Sequence, residues 1–148
     1  MTELAPDEVD DLLRVAHAAL MLAHSPYSLV RVGAALLCDD GSVHAGCNVE
    51  NASLGLTICA ERVAAVKAIS AGARGFRVMA LASSQPFPLL PCGACRQFLH
   101  EFAPRLRFFV QGTEGPRLDV RLDELLPRAF GPRDIGDGGG GGGGGQRP

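Results

Sequence analysis

Five thiols occur in this 148-residue chain, and three of them stand where cysteines do chemistry. Cys92 and Cys95 follow Pro91 directly, at the head of a segment that reads as a helix. A Cys-x-x-Cys pair is half of a tetrahedral metal site or one redox couple. Upstream, the stretch TICAERVAAVKA (Thr57 to Ala68) places Cys59 at the start of another helix, followed by Glu61 and Arg62. A helix N-terminus offers unsatisfied N–H groups and a partial positive charge, which favours the thiolate, the form that binds zinc. Two converging helix starts can therefore hold three thiolates. Three ligands leave the fourth position of a tetrahedral zinc open, as in catalytic rather than structural sites, and a water placed there becomes acidic. Three thiolates also give such a site excess negative charge. Arg62, one turn beyond Cys59, is expected to hydrogen-bond one or more of the sulfurs and offset it. Glu61 is poorly spaced to be a fourth ligand but well placed to shuttle a proton to and from the water.

The elements that must position these groups follow from periodicity and turn signals. Asp7–Ala23 reads as an amphipathic helix, with Leu12, Val15, Ala16, Ala19 and Leu20 recurring at three and four and acidic residues in its first turns. Val30–Cys38 and Ser42–Cys47 read as strands joined by the Asp39-Asp40-Gly41 turn. A polar loop (Asn48–Gly55) leads to a helix over Thr57–Ala71, with Cys59, Val63, Val66 and Ile69 as its apolar positions, ended by Gly72 and Gly75. Strands over Phe76–Ser83, Leu106–Gln111 and Leu118–Arg121 alternate with helices over Cys92–Phe102 and Asp123–Leu126. Strands apolar on nearly every position belong to a sheet covered on both faces. The expected fold is an α/β, three-layer α/β/α domain over residues 1–135, with a five-stranded mixed sheet that opens on an antiparallel hairpin and continues through parallel crossovers. Residues 136–148 contain eight consecutive glycines and are expected to be a disordered tail outside the domain.

Composition removes several classes of function. The chain is 47% hydrophobic and 20% charged with a net charge of −2, one tyrosine and no tryptophan. Clustered cations and stacking aromatics for polymeric nucleic acid are missing, and no apolar run approaches the roughly 18 residues that span a bilayer. The polar, acidic start MTELAPDEVDD is unlike a secretory signal, so a cytoplasmic location is expected, where cysteines stay reduced. Cys38 and Cys47 end adjacent strands and read as small core residues, and His17, His24, His44 and His100 fit no ligand spacing with the helix-start cysteines.

Cys59-Ala60-Glu61-Arg62 followed by Pro91-Cys92-Gly93-Ala94-Cys95-Arg96-Gln97 resembles the zinc nucleobase deaminases, with Cys in place of the first His. Together with Val32-Gly33-Ala34-Ala35-Leu36, Gly46-Cys47-Asn48-Val49-Glu50-Asn51-Ala52, Leu125-Leu126-Pro127 and Phe130-Gly131, the pattern is similar to the small homotetrameric cytidine deaminases of pyrimidine salvage over Pro26 to Asp134. The resemblance implies one Zn²⁺ per subunit on Cys59, Cys92 and Cys95. It implies that Glu61 carries a proton from water to N3 of cytosine and then protonates the departing amino group, giving uridine or 2′-deoxyuridine and ammonia. It also implies that the Ala60 N–H holds the pyrimidine carbonyl, that Asn48 and Glu50 bind ribose hydroxyls, and that Phe130 closes a neighbouring subunit's pocket in a homotetramer. The alternative for Phe130 is a buried C-terminal anchor. Two positions depart from the pattern: Val30 stands where an aromatic packs on the base, and Leu54 where a tyrosine follows Asn-Ala-Ser. They make a related aminopyrimidine nucleoside, a blasticidin-type antibiotic or a modified cytosine, the alternative substrate. A structural zinc module for assembly is the alternative of another class, and it requires a fourth protein ligand.

Overall fold

The structure is a computed structural model and describes residues 4–135. The expected glycine-rich tail, 136–148, lies outside the described residues. The elements run α1 (Pro6–Leu20), β1 (Val32–Cys38), β2 (Val43–Cys47), α2 (Ala60–Ser70), β3 (Phe76–Ser83), α3 (Gly93–His100), β4 (Arg107–Gln111), β5 (Leu118–Arg121), α4 (Leu122–Leu125) and α5 (Pro132–Ile135), with a 3₁₀ turn at Leu54–Leu56. The five strands form one sheet in the order β2-β1-β3-β4-β5. β1 is antiparallel to both β2 and β3, β3 and β4 are parallel, and β5 is antiparallel to β4. β2 and β3 therefore point the same way with β1 between them. The helices that follow them, α2 and α3, both start at the same end of the sheet.

Alternation along the strands divides the core in two. Ala35, Val78, Ala80, Ala82 and Phe109 face α1 and pack on its Val9, Leu12, Leu13, Ala16 and Leu20. Their neighbours Ala34, Leu36, Met79, Leu81, Phe108 and Val110 face the other way, onto Ala60, Ala64, Ala65 and Ala68 of α2 and Leu99 of α3. This is the three-layer arrangement expected. α1 is started by Pro6 at its first position and by the Glu8 carboxylate, which accepts the Ala5 N–H at 2.7 Å. Among the described residues no helix is long and apolar enough to cross a membrane.

Several expectations need correction. Helix α2 begins at Ala60 rather than Thr57, because Ile58 pairs instead with Val49 in an isolated antiparallel bridge. Its buried face is the alanines and Glu61, whereas Val66 is 45% exposed. Large apolar residues are excluded from that face because α2 lies close on the sheet: a Cβ on Gly46 of β2 would sit 2.5 Å from the Ala64 nitrogen and 2.6 Å from the Ala60 oxygen. Strand β1 begins at Val32, two residues later than its apolar run suggests. The Val30 carbonyl is held by the Asn48 side chain and the Arg31 N–H by the Ser84 hydroxyl, in place of strand pairing. The short helix α5 carries no apolar period and was not expected.

Helix α1 approaches β1 as closely as α2 approaches β2. A Cβ on Gly33 would lie 1.9 Å from the Ala16 oxygen and 2.6 Å from the Leu20 nitrogen, both backbone atoms. Relief requires moving a whole helix, so Gly33→Ala is expected to lower unfolding free energy by about 3 kcal/mol or more. Urea denaturation of the two proteins measures it, and a loss below about 1 kcal/mol would contradict the packing described.

Candidate functional site

Cys59 and Cys92 occupy equivalent positions, each capping a helix in extended conformation (φ −71°, ψ 153° and φ −65°, ψ 165°). Cys95 sits in the first turn of α3. The three sulfurs all lie within 4.8 Å of one another, and the Cys59 and Cys92 sulfurs are 3.8 Å apart. A tetrahedron with zinc–sulfur bonds of about 2.3 Å has edges of about 3.8 Å, so the trio fits that ion. Among the described residues the group has three members, and no fourth His, Cys or carboxylate joins it. A closed structural site needs that fourth ligand. Arg96 steadies the start of α3, donating from Nε to the Pro91 carbonyl at 2.7 Å and from Nη1 to the Leu125 carbonyl at 2.9 Å. The sequence showed Arg96 only as part of a motif; its reach of 29 residues to Leu125 has no local signal.

The electrostatics single out Cys59. The hydrogen bond with Cys95 lowers its pKa to about 5, Arg62 and Cys92 adding to the effect against the opposing pull of burial. The Cys95 thiol is pushed up, chiefly because it donates to Cys59 and is itself buried. Arg62 places Nη2 3.6 Å from the Cys59 sulfur and 3.4 Å from the Thr57 carbonyl. Hydrogen bonding to the Cys59 and Cys95 sulfurs pushes the guanidinium pKa upward. Its Nε is buried with no hydrogen-bond partner among the described residues. The expected contact between Arg62 and the thiolates is thus present. Glu61 is 5% exposed, in the first turn of α2. Burial is the main cause that pushes its carboxyl up to about 7, with the Cys59 thiolate adding to it.

Cys59, Glu61 and Cys92 open onto a cleft of about 540 Å³. Ligand pockets fall in that size range. Ala60 lines the cleft too and, as the first residue of α2, has an N–H with no intrahelical acceptor. Val30, Val32, Leu54, Leu89 and Leu90 form apolar walls, so both departures from the aromatic pattern lie in the cleft. Tyr27, Ser28, Asn48 and Glu50 also line it. Asn48 is already engaged: Oδ1 accepts the Val32 N–H and Nδ2 donates to the Val30 carbonyl, both at 2.8 Å. Glu50, 9% exposed, accepts the Tyr27 N–H at 3.2 Å and both the N–H and the hydroxyl of Ser28. Each retains part of its hydrogen-bonding capacity for a ligand. Phe130 lines no part of this cleft and is 59% exposed, so it is not a buried anchor; its carbonyl accepts from Gln97 Nε2 at 2.8 Å. Cys38 is buried and Cys47 half-buried, and neither is in a disulfide.

Residues 6–111 match the profile of the cytidine and deoxycytidylate deaminase zinc-binding region. The cytidine deaminase of Halalkalibacterium halodurans is 44% identical over 127 residues, covering 85% of this chain and 96% of its own. That of Sporosarcina psychrophila is 39% identical over 129 residues, covering 86% and 95%. The crystal structure of the Burkholderia pseudomallei cytidine deaminase superposes with a TM-score of 0.79 at 42% identity, over 88% of this chain and 100% of that one.

Proposed function

Because this chain belongs to the cytidine and deoxycytidylate deaminase family, we propose that it hydrolyses cytidine and 2′-deoxycytidine to uridine and 2′-deoxyuridine with release of ammonia. The observation that carries this reading is one cleft of nucleoside size lined by Cys59 and Cys92 of the thiol trio, the buried Glu61 carboxylate, and the hydrogen-bonding side chains of Asn48 and Glu50. When bound by Cys59, Cys92 and Cys95, zinc supplies an acidified water as the nucleophile at neutral pH. Glu61 moves the protons: it accepts one as the C4–O bond forms and gives it to N3, then takes the second from the new C4 hydroxyl and gives it to the amino group as the C4–N bond breaks. A carboxyl held by burial near neutral pH can both take and give a proton. The Ala60 N–H donates to the pyrimidine carbonyl, and Asn48 and Glu50 take sugar hydroxyls through the capacity their backbone bonds leave. Arg62 offsets the charge of the thiolates. Phe130 closes the pocket of a neighbouring chain in a homotetramer, a reading supported by its exposure and by its absence from the lining of its own chain's cleft. In this reading the protein serves pyrimidine salvage and works in the cytoplasm.

Loss of cytidine absorbance coupled to ammonia release, in zinc-loaded protein, tests the proposal, with light scattering to count the chains in the assembly. Zinc-loaded protein that turns over no cytosine nucleoside would rule the function out. The family also contains deaminases of a nucleotide, and the cleft separates the two classes of substrate. Its lining includes Glu50 and Glu61 and no Lys, Arg or His. A phosphate dianion brought beside these carboxylates meets like charge with no cation to pair it. Cytidine 5′-monophosphate and its deoxy form are therefore expected to have kcat/KM at least about 100-fold below the nucleosides, a difference of roughly 2.7 kcal/mol in transition-state stabilisation. Equal values would show that a cation reaches the sugar from outside this lining.

A further inference from the structure

One side chain is bonded to two separate parts of the cleft. The Ser28 hydroxyl donates to Glu50 Oε1 at 2.5 Å and accepts the Val30 N–H at 3.1 Å. The Ser28 N–H donates to the same carboxylate, at 3.1 Å to Oε2 and 3.3 Å to Oε1, and the Tyr27 N–H adds a bond of 3.2 Å. Three donors thus converge on a group with about four acceptor sites, which leaves about one for a ligand hydroxyl. The segment reaches this geometry through a backbone that resists it. Leu29, 75% exposed, has φ +62°, the left-handed region that L-residues avoid. Such a conformation persists where surrounding bonds over-determine it. Here those bonds are the Ser28 network and the Leu29 N–H to the Ser25 carbonyl at 3.0 Å. The Ser28 hydroxyl is also the largest cause holding the Glu50 carboxyl below its usual range.

We propose that Ser28 is a positioning residue for sugar recognition, aiming the free acceptor site of Glu50 into the cleft and fixing the Val30 wall through the same hydroxyl. The inference rests on the proposed role of Glu50 as a sugar ligand. With the hydroxyl removed, Glu50 keeps its backbone donors but loses the shortest bond that fixes its rotation, and the Val30 N–H loses its acceptor.

The test is calorimetric titration of the zinc-loaded full chain with uridine and with 2′,3′-dideoxyuridine, which lacks both secondary hydroxyls of the sugar. The native protein is expected to prefer uridine by about tenfold or more, as suits a hydrogen bond to a charged acceptor. Ser28→Ala is expected to reduce that preference to within about threefold by weakening uridine well beyond any weakening of the dideoxynucleoside through the Val30 wall. Ser28→Thr keeps the hydroxyl and the preference, and Ser28→Cys, a weak donor of similar size, falls between them. Equal weakening of both ligands in Ser28→Ala would mean a purely structural role and overturn the proposal, as would an unchanged preference. Glu50→Gln separates the two layers of the argument. If it removes the preference while Ser28→Ala does not, Glu50 is a sugar ligand and Ser28 does not position it. If Glu50→Gln leaves the preference intact, the role of Glu50 falls and the role of Ser28 falls with it.

Discussion

Glu61→Gln is expected to leave a folded, zinc-loaded protein whose kcat on cytidine is lower by about 10²–10⁴-fold. The amide has nearly the same shape and hydrogen-bonds, but it cannot take a proton from the nucleophile or return one to the leaving amine. The loss should fall in kcat more than in KM, since the ground state needs no proton movement. Stability should move the other way or not at all. Glu61 is 5% exposed, and burial disfavours its ionised form enough to push the carboxyl up to about 7. A neutral isostere has no charge to desolvate, so the melting temperature of Glu61→Gln should equal or exceed that of the native chain. Absorbance assays, zinc analysis and a thermal melt on one preparation give all three quantities. A variant that keeps more than about a tenth of native kcat would remove Glu61 from proton transfer.

The second large effect is loss of the metal itself. Cys59→Ser, Cys92→Ser and Cys95→Ser each replace a thiolate by a hydroxyl that stays neutral at pH 7, and a trio has no spare member. Changes to partners outside the ligand shell already cost about 10–100-fold in metal affinity, so each ligand substitution should exceed about 100-fold and abolish turnover. Metal analysis after dialysis against a weak chelator should find one zinc per native chain and almost none in the three variants. Cys38→Ala is the control. Cys38 is 1% exposed in the core shared with α2, so its loss should lower stability modestly while zinc content stays at one per chain. If a ligand variant retains stoichiometric zinc, another group completes the site and the three-thiolate arrangement is wrong.

The sequence revealed different parts of this molecule unequally, for physical reasons. β3 has the limits that its residue pattern predicts, because a strand covered on both faces is apolar nearly throughout and ends at turn residues; β5, a short, largely exposed edge strand, matches as well. The metal trio was legible because each thiol is tied to a local event, the start of a helix. The buried face of α2 was not. Periodicity locates bulk, and here bulk faces outward at Val66 while alanines and a carboxylate face inward. The entry to β1 was read as strand because Val30 is apolar, yet a side-chain amide 18 positions away takes the place of a neighbouring strand. The Ser28–Glu50 bond spans 22 positions and joins two loops, where neither spacing nor composition carries a signal. Asn48 and Glu50 were noticed for their chemistry, but their use as anchors for the Tyr27–Val32 segment appears only once the chain is folded.

The alanine face of α2 has a consequence for motion. Ala60, Ala64, Ala65 and Ala68 are fully buried against the sheet, so the height of this helix is set by backbone against backbone. Alanine has no rotamers to exchange, and so gives up almost no side-chain entropy on burial. Rotamer hopping, a common source of sub-ångström drift between packed elements, finds little foothold on the helix side of this face. Cys59, Ala60 and Glu61 all ride on the first turn of that helix. The groups that must meet a reacting carbon within a few tenths of an ångström are therefore carried by a helix whose buried face is almost free of side-chain rotamers, and their alignment should change little with temperature until the sheet itself gives way.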